Sequence, residues 1–382
     1  MSGAVFLAPA PQKSTSPLPH FPTCKLPRFP SMPSDIHAFD RLKKYPQAAR
    51  YWPALRDFVA RARPHELHRI NPLYLAERLR WGRNETLDVL TYAVAENLWH
   101  LHWEAYCPAC GGLLQEDEHL GALHHHQVCR ACGWEGEIAL DRELAVEASV
   151  SERVRRLPLS TREDPDFRRK VQSRLGRLPA LALVNRPLFR ELLGAQTLPS
   201  DQSLGVESMV VFFSDLKGST ALYERLGDAQ AYRLVREHFT VIFDAVEAEG
   251  GAAVKTIGDG VMGTFFEPQA ALRGITAALR GLDEVNRRED LRGEDRLRLK
   301  VGVHMGACIV VTLNHRLDYF GTTVNVAARL SDLSRGAEVV VSEALLQDAA
   351  ARRLARSLGE IQPMETTLRG LSRPITAYRL RV

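Results

Sequence analysis

The stretch SMVVFFSDLKGSTALYERLG, residues 208–227, decides the reading of this chain. Its first eight residues form a short apolar run rich in Val and Phe that stops at a carboxylate, the pattern of a buried strand with Asp215 at its end. Gly218, Ser219 and Thr220 follow, and backbone N–H groups of such small residues at a helix start can cradle a phosphate. Asp228 reads as the N-cap of the next helix. There Tyr232, Val235, Phe239, Ile242 and Val246 line up as one apolar stripe, closed by Gly250 and Gly251, and the stripe is expected to be core.

Further along, AAVKTI (252–257) and VMGTFF (261–266) flank Gly258-Asp259-Gly260. An Asp-Gly pair between two β-rich runs signals a tight hairpin, so Asp259 is expected at a hairpin tip. A helix with Leu272, Ile275, Leu279 and Leu282 on one face comes next. RLRLKVGVHMG (296–306) then alternates Leu297, Leu299, Val301 and Val303 as a half-buried strand does. The order β, α, β, β, α, β predicts an α+β domain of the ferredoxin-like βαββαβ type, an antiparallel sheet with helices on one face. Asp215 and Asp259 then fall where neighbouring central strands end. Lys255 stands four positions before Asp259, so an extended strand turns both to the same face. Asn325 and Arg329, four apart in an expected helix that Thr322 or Thr323 would cap, also share a face.

Three separated segments, FSDLKGST at 213–220, KTIGDGVM at 255–262 and LDYFGTTVNVAARL at 317–330, are similar in this order to the catalytic signatures of the class III nucleotidyl cyclases. The resemblance covers residues 208–382 and implies that Asp215 and Asp259 bind two Mg²⁺ or Mn²⁺ ions, with the Leu216 carbonyl as a backbone ligand. In that chemistry the ribose 3′-oxygen attacks the α-phosphorus and expels pyrophosphate. One ion lowers the nucleophile's pKa and the other neutralises the triphosphate.

The resemblance also implies that Lys255 and Asp318 select the purine: the ammonium donates to adenine N1 and the carboxylate accepts from the exocyclic amine. A guanylate-selective enzyme would carry a Glu and a small residue such as Cys at these places, so ATP is the expected substrate and cyclic AMP the product. Gly218, Ser219 and Thr220 would contact substrate phosphates, Asn325 would orient the ribose, and Arg329 would stabilise charge building on the α-phosphoryl group. In this family one active site draws its metal aspartates from one subunit and its base-reading and transition-state residues from the other. A single chain with the full set implies a homodimer with two composite sites. Three other readings stand beside this one: a guanylate cyclase, a catalytically silent cyclase-like dimerisation module, and a transcription regulator acting through the amino-terminal domain.

Cys107 with Cys110 and Cys129 with Cys132 form two CxxC knuckles, each followed by a Gly that lets the backbone turn, while Cys24 and Cys308 stand alone. Without a secretion signal, this double spacing matches a structural zinc ribbon over about residues 104–137 rather than a disulfide framework. Four thiolates would complete the coordination sphere, so His124, His125 and His126 read as a solvated run.

Upstream, Ala48, Trp52, Leu55, Phe58 and Val59 mark one helix. Asn71 and Asn84 are the expected N-caps of two more, and a strand follows from Leu101 to Tyr106. This resembles a winged helix-turn-helix joined to a zinc ribbon. The second helix carries Glu85, Asp88 and Glu96 and no Lys or Arg, which speaks against DNA and for a regulatory or dimer-building module. Residues 37–195 as a whole resemble the poorly characterised region that precedes the catalytic domain in some bacterial cyclases. Its signal would come from an unknown regulatory ligand or protein.

Arg153, Arg155, Arg156, Arg168, Arg169 and Lys170 read as a solvated helical face. Pro199 and the polar SDQS run place a linker at residues 196–207, ahead of the catalytic domain at 208–382. Residues 1–36 are Pro-rich and are expected to be a disordered extension. A hydrophobic share of 45% with 25% charged residues is ordinary for a globular protein, and a net charge of +4 over 382 residues is small for a nucleic-acid binder. No apolar run approaches a membrane span and no signal peptide is legible, so a cytoplasmic protein without membrane contact is expected.

Overall fold

The computed structural model describes residues 36–194, 198–199, 201–313, 316–369 and 374–382. Nearly all of the extension expected at 1–36, with Cys24, lies outside the described residues, as does Ser200 of the SDQS run.

The amino-terminal module opens with 3₁₀ turns at Ile36–Lys44 and Pro46–Ala48, which leave Ala48 outside the helix expected to hold it, and continues with α1 (Trp52–Arg61), α2 (Pro72–Leu79) and α3 (Arg83–Ala95). Strands β1 (Trp99–Tyr106), β2 (Leu113–Asp117), β3 (His126–Val128), β4 (Glu135–Glu137) and β5 (Leu144–Val150) follow. They form a three-stranded antiparallel sheet of order β2-β1-β5 and a separate β3-β4 hairpin. Asn71 caps α2 as expected, its Oδ1 accepting from the Leu73 N–H at 2.9 Å. Asn84 does not cap α3. The cap is Gly82, and Asn84 sits inside the first turn. Most of α3 is buried, from Thr86 to Ala93, so the helix that a DNA-binding module would offer to a groove is committed to packing.

The basic run is only partly a solvated face. Arg168 reaches the buried carboxylates of Glu104 at 2.9 Å and Glu147 at 2.7 Å, and Arg155 donates to the Val59 and Ala62 carbonyls. Buried carboxylates need such a partner, which turns Arg168 inward, while the open carbonyls at the end of α1 draw in Arg155. The module closes with α4 (Leu159–Arg162), α5 (Pro165–Leu175), α6 (Ala180–Val184) and α7 (Pro187–Leu192).

The second domain runs β6 (Ser203–Leu216), α8 (Ser219–Leu226), α9 (Asp228–Ala248), β7 (Ala252–Ile257), β8 (Gly260–Phe265), α10 (Pro268–Arg288) and β9 (Leu299–Leu313). It continues with β10 (Arg316–Phe320), α11 (Thr322–Asp332), β11 (Glu338–Ser342), α12 (Glu343–Leu346), α13 (Ala349–Leu358), β12 (Glu360–Thr366) and β13 (Ile375–Arg381). Strand β6 begins inside the stretch read as a linker. The sheet order is β12-β13-β11-β9-β6-β8-β7, with β10 paired to β9, and the antiparallel core β9-β6-β8-β7 is the βαββαβ unit.

Two features differ from the expected plain antiparallel sheet with helices on one face. Strand β11 runs parallel to β9, because the chain crosses over through α11 before returning. Helices α9 and α10 cover the face formed by Val210, Phe212, Val301 and Val303, whereas α11 lies on the other face. Gly302 explains how close α11 comes, since a Cβ there would stand 2.0 Å from the Ser331 amide nitrogen.

The stripe of α9 is rotated from the expected one. Tyr232 is exposed, and Ala231, Leu234 and His238 are buried beside Val235, Ile242 and Val246. Gly227, not Asp228, is the N-cap.

Met209, Val211 and Met262 from the second sheet belong to the same core as Leu181, Val184 and Phe189 of the amino-terminal module. The two parts are thus packed as one body, and Asp141 accepts from the Glu207 and Ser208 amides where β6 bulges.

Burial holds two imidazoles neutral, pushing His102 down to about 3 and His304 down to about 4. In the unfolded chain these groups titrate near 6.5, so their stabilising contribution is complete above that pH and is lost as pH falls through 6.5 toward 4. The melting temperature is therefore expected to drop on acidification from pH 7 to 5, and less so in a His102→Gln chain. A wild-type midpoint that stays level across this range would contradict the assignment.

Candidate active site

Asp215 occupies the penultimate position of β6, directly across from Lys300 on β9, and its Oδ2 lies 2.8 Å from Lys300 Nζ. Leu216, the last strand residue, is buried and anchors the backbone there. The hairpin between β7 and β8 presses against this strand end: a Cβ at Gly260 would meet the Ser214 carbonyl at 2.7 Å and Asp215 Oδ1 at 3.7 Å. Gly258 takes a left-handed φ of 63°, which makes the turn possible without strain. Asp259 is held at the tip of this hairpin, half-buried, and its Oδ2 is buried without a hydrogen-bond partner among the described residues.

His238, fully buried on α9, is close enough to feel both carboxylates. Its Nδ1–H donates to the Val235 carbonyl at 2.6 Å, and burial lowers its pKa against the opposing pull of the Val235 and Asp259 backbones. A pair of carboxylates at one sheet end, one of them with an unpartnered buried oxygen, suits a hard divalent cation such as Mg²⁺ or Mn²⁺. Beside it, Gly218 adopts a left-handed φ of 74° as N-cap of α8, which starts at Ser219 and Thr220.

A second group forms at the far side of β7. Lys255 is ion-paired with Asp318 on β10, and its Nζ stands 5.7 Å from the centre of the Phe320 ring. The other oxygen of Asp318 accepts from the Tyr319 amide at 2.8 Å, which fixes the carboxylate's direction. Asn325 and Arg329 make a third group on the exposed face of α11, whose opposite face buries Val326, Ala327 and Leu330. Arg329 faces Asp332 at 3.6 Å, and among the described residues no hydrogen bond or ion pair joins it to Asp215 or Asp259. Neither Thr322 nor Thr323 caps this helix. Gly321 holds the cap position, and the Thr323 hydroxyl is drawn to the Ala307 carbonyl at 2.5 Å.

The four knuckle cysteines converge, with all Sγ atoms within 4.8 Å of one another and Cys107–Cys132 and Cys110–Cys129 contacts of 3.6 and 3.7 Å. Gly111 and Gly133 take left-handed φ values of 71° and 75°, as the sharp knuckle turns require. Amides of Cys132 and Ala131 favour the Cys129 thiolate. No histidine joins the cluster among the described residues. The donor set fits tetrahedral Zn²⁺.

Lys300, His238, Asn185 and Arg190 were not singled out from the sequence. Lys300 has a signal of a kind: it falls in the polar phase of the alternation around Leu299 and Val301, opposite a strand that ends in an aspartate. His238 lies within an apolar stripe and reads as filler. The other two lie outside the motifs.

Residues 202–368 match the model for the adenylate and guanylate cyclase catalytic domain, and residues 33–168 match a family of unknown function (DUF5939). An uncharacterized protein of Mycobacterium tuberculosis is 33% identical over 168 residues, which is 44% of this chain and 40% of that protein. Adenylate cyclase 2 of Rhizobium meliloti is 29% identical over 175 residues, 43% of this chain and 47% of that protein. The match therefore spans less than half the length of either relative. Among solved structures, the adenylyl cyclase CyaB from P. aeruginosa is similar, at 22% identity and a TM-score of 0.40 over 47% of this chain and 96% of that one.

Proposed function

From the match of residues 202–368 to the adenylate and guanylate cyclase catalytic domain, we propose that the chain is an adenylate cyclase, converting ATP to 3′,5′-cyclic AMP and diphosphate. The observation that carries the choice of ATP is the Lys255–Asp318 pair. An ammonium donor beside a carboxylate acceptor complements adenine, whose N1 accepts and whose amine donates. Guanine presents the reverse, and an unmatched buried polar group is costly.

Asp215, Asp259 and the Leu216 carbonyl would hold two Mg²⁺ or Mn²⁺ ions. Bound there, such ions supply a lowered pKa for the 3′-hydroxyl and charge neutralisation on the triphosphate. Lys300 now neutralises Asp215 and must release it when a cation enters. Gly218, Ser219 and Thr220 offer backbone donors to the phosphates. Asn325 orients the ribose, and Arg329 meets the charge that builds on the α-phosphoryl group.

Because Arg329 stands on the exposed face of α11 and, among the described residues, has no hydrogen bond or ion pair to the two aspartates, a homodimer with two composite sites is the arrangement that would bring them together. Ile257, Ile309, Leu313 and Phe320, all exposed apolar side chains on the strands around Lys255 and Asp318, suit such an interface. The cysteine cluster would take a structural zinc, and the amino-terminal module would be regulatory. Its removable feature is the metal. Stripping zinc with a chelator is expected to lower the melting temperature by ~5 °C or more. Elemental analysis should give one zinc per chain in addition to any active-site cation. Protein purified from zinc-supplemented culture with no zinc would overturn this. The cyclase assignment itself is tested by incubation with ATP and with GTP, and product masses decide between cyclic AMP and cyclic GMP.

A further inference from the structure

The stretch from the end of α6 into α7, residues 185–190, sits on the sheet at the purine-reading pair. Strand β7 carries a one-residue bulge at Val254: Ala253 faces Gly263 and Lys255 faces Met262, which leaves Val254 unpaired in the ladder. A bulge of this kind re-aims the next side chain, which here is Lys255. The Val254 carbonyl is taken instead by Arg190, whose guanidinium donates to it at 2.5 Å and to the Ala253 carbonyl at 3.4 Å. Arg190 is buried.

Five residues earlier, the buried Asn185 accepts two hydrogen bonds on its Oδ1, from the Tyr319 hydroxyl and the Thr264 hydroxyl, each at 2.8 Å. Tyr319 directly follows Asp318 and gives it its amide hydrogen bond. One short segment thus grips the neighbour of Lys255 and the neighbour of Asp318. Arg186, between the two, forks onto Asp88 of α3 at 2.9 and 2.6 Å and reaches Glu247 of α9 at 3.3 Å, so the grip is tied to the amino-terminal module.

We propose that Arg190 and Asn185 are positioning residues for base recognition: they set the direction of Lys255 and the placement of Asp318, and so link the amino-terminal module to purine selectivity. Neither touches the nucleotide. The inference rests on the reading of Lys255 and Asp318 as the purine-selecting pair.

The test measures dissociation constants of the full chain for non-cyclisable ATP and GTP analogues in Mn²⁺, for wild type, Arg190→Met, Arg190→Lys and Asn185→Ala, with a melting temperature for each. Binding serves as the readout so that the result does not depend on turnover. Wild type is expected to prefer the ATP analogue. Arg190→Met and Asn185→Ala should lose about tenfold or more of that preference, and Arg190→Lys, which keeps one donor, should fall between. If folded variants keep the wild-type ratio within about twofold, the two residues are merely structural and the inference fails while the purine pair stands. If wild type shows no preference for the ATP analogue, the reading of Lys255 and Asp318 fails, and the inference with it. Should either variant fail to fold, the remaining two are read by the same ratio.

Discussion

Neither an Asp215→Ala chain nor an Arg329→Ala chain alone is expected to make cyclic nucleotide above ~1% of wild type, since each removes a group that acts on charge in the transition state. An equimolar mixture should recover about a quarter of the wild-type rate, because half of the randomly formed two-fold dimers are mixed and each mixed dimer keeps one of two sites intact. The physical basis is that, among the described residues of one chain, no hydrogen bond or ion pair joins Arg329 to either aspartate. Asp215 and Asp259 meet at one sheet end, while Arg329 stands on the exposed face of α11 next to Asp332. If one chain formed a complete site by itself, mixing would restore nothing. Recovery well above the statistical fraction would point to preferred mixed pairing, and an Arg329→Ala chain that stays active alone would remove Arg329 from the chemistry.

The second large effect concerns the base. Replacing Lys255 by Glu and Asp318 by Cys together is expected to turn the preference from ATP toward GTP, with a swing of roughly 10²-fold or more in the ratio of kcat/KM values. Glu accepts from guanine N1–H and its amine, where Lys could only oppose them, and Cys removes a carboxylate that would face guanine O6. The single changes should do worse than the double: Lys255→Glu sets a second carboxylate against Asp318, which is 8% exposed, and Asp318→Cys leaves the half-buried Lys255 without its partner. Kinetics with both nucleotides on all four chains gives the coupling directly. Equal ATP preference in the double variant would mean that these residues do not read the purine.

The strand ending at Asp215, the hairpin carrying Asp259, and the helix presenting Asn325 and Arg329 together were all legible, because each depends on local periodicity or turn chemistry. Cap positions were less so. Gly227 stands at the cap expected for Asp228 and takes a φ of 76° that a side chain resists, whereas Gly82, two residues before Asn84, caps α3 from ordinary extended backbone. Tyr232 was assigned to the core on helical spacing alone, but the neighbouring sheet selects Leu234 and His238 instead. The parallel β9–β11 pairing, the Asp215–Lys300 contact and the seating of Asn185 and Arg190 are products of long-range register. No local pattern encodes a pairing between residues that stand 38 positions apart or, as with Arg190 and Val254, 64. The cysteine knuckles were legible for the opposite reason, as spacing within each pair fixes the turn and the two pairs need only meet.

The most direct test is to incubate the purified chain separately with ATP and with GTP in Mn²⁺ and in Mg²⁺, resolve the products by mass, and run Asp259→Ala alongside. Cyclic AMP from ATP by the wild type, with at most a trace from the variant, is the predicted result. Cyclic GMP as the main product would contradict the assignment of Lys255 and Asp318, and equal cyclic AMP from Asp259→Ala would contradict the metal site itself.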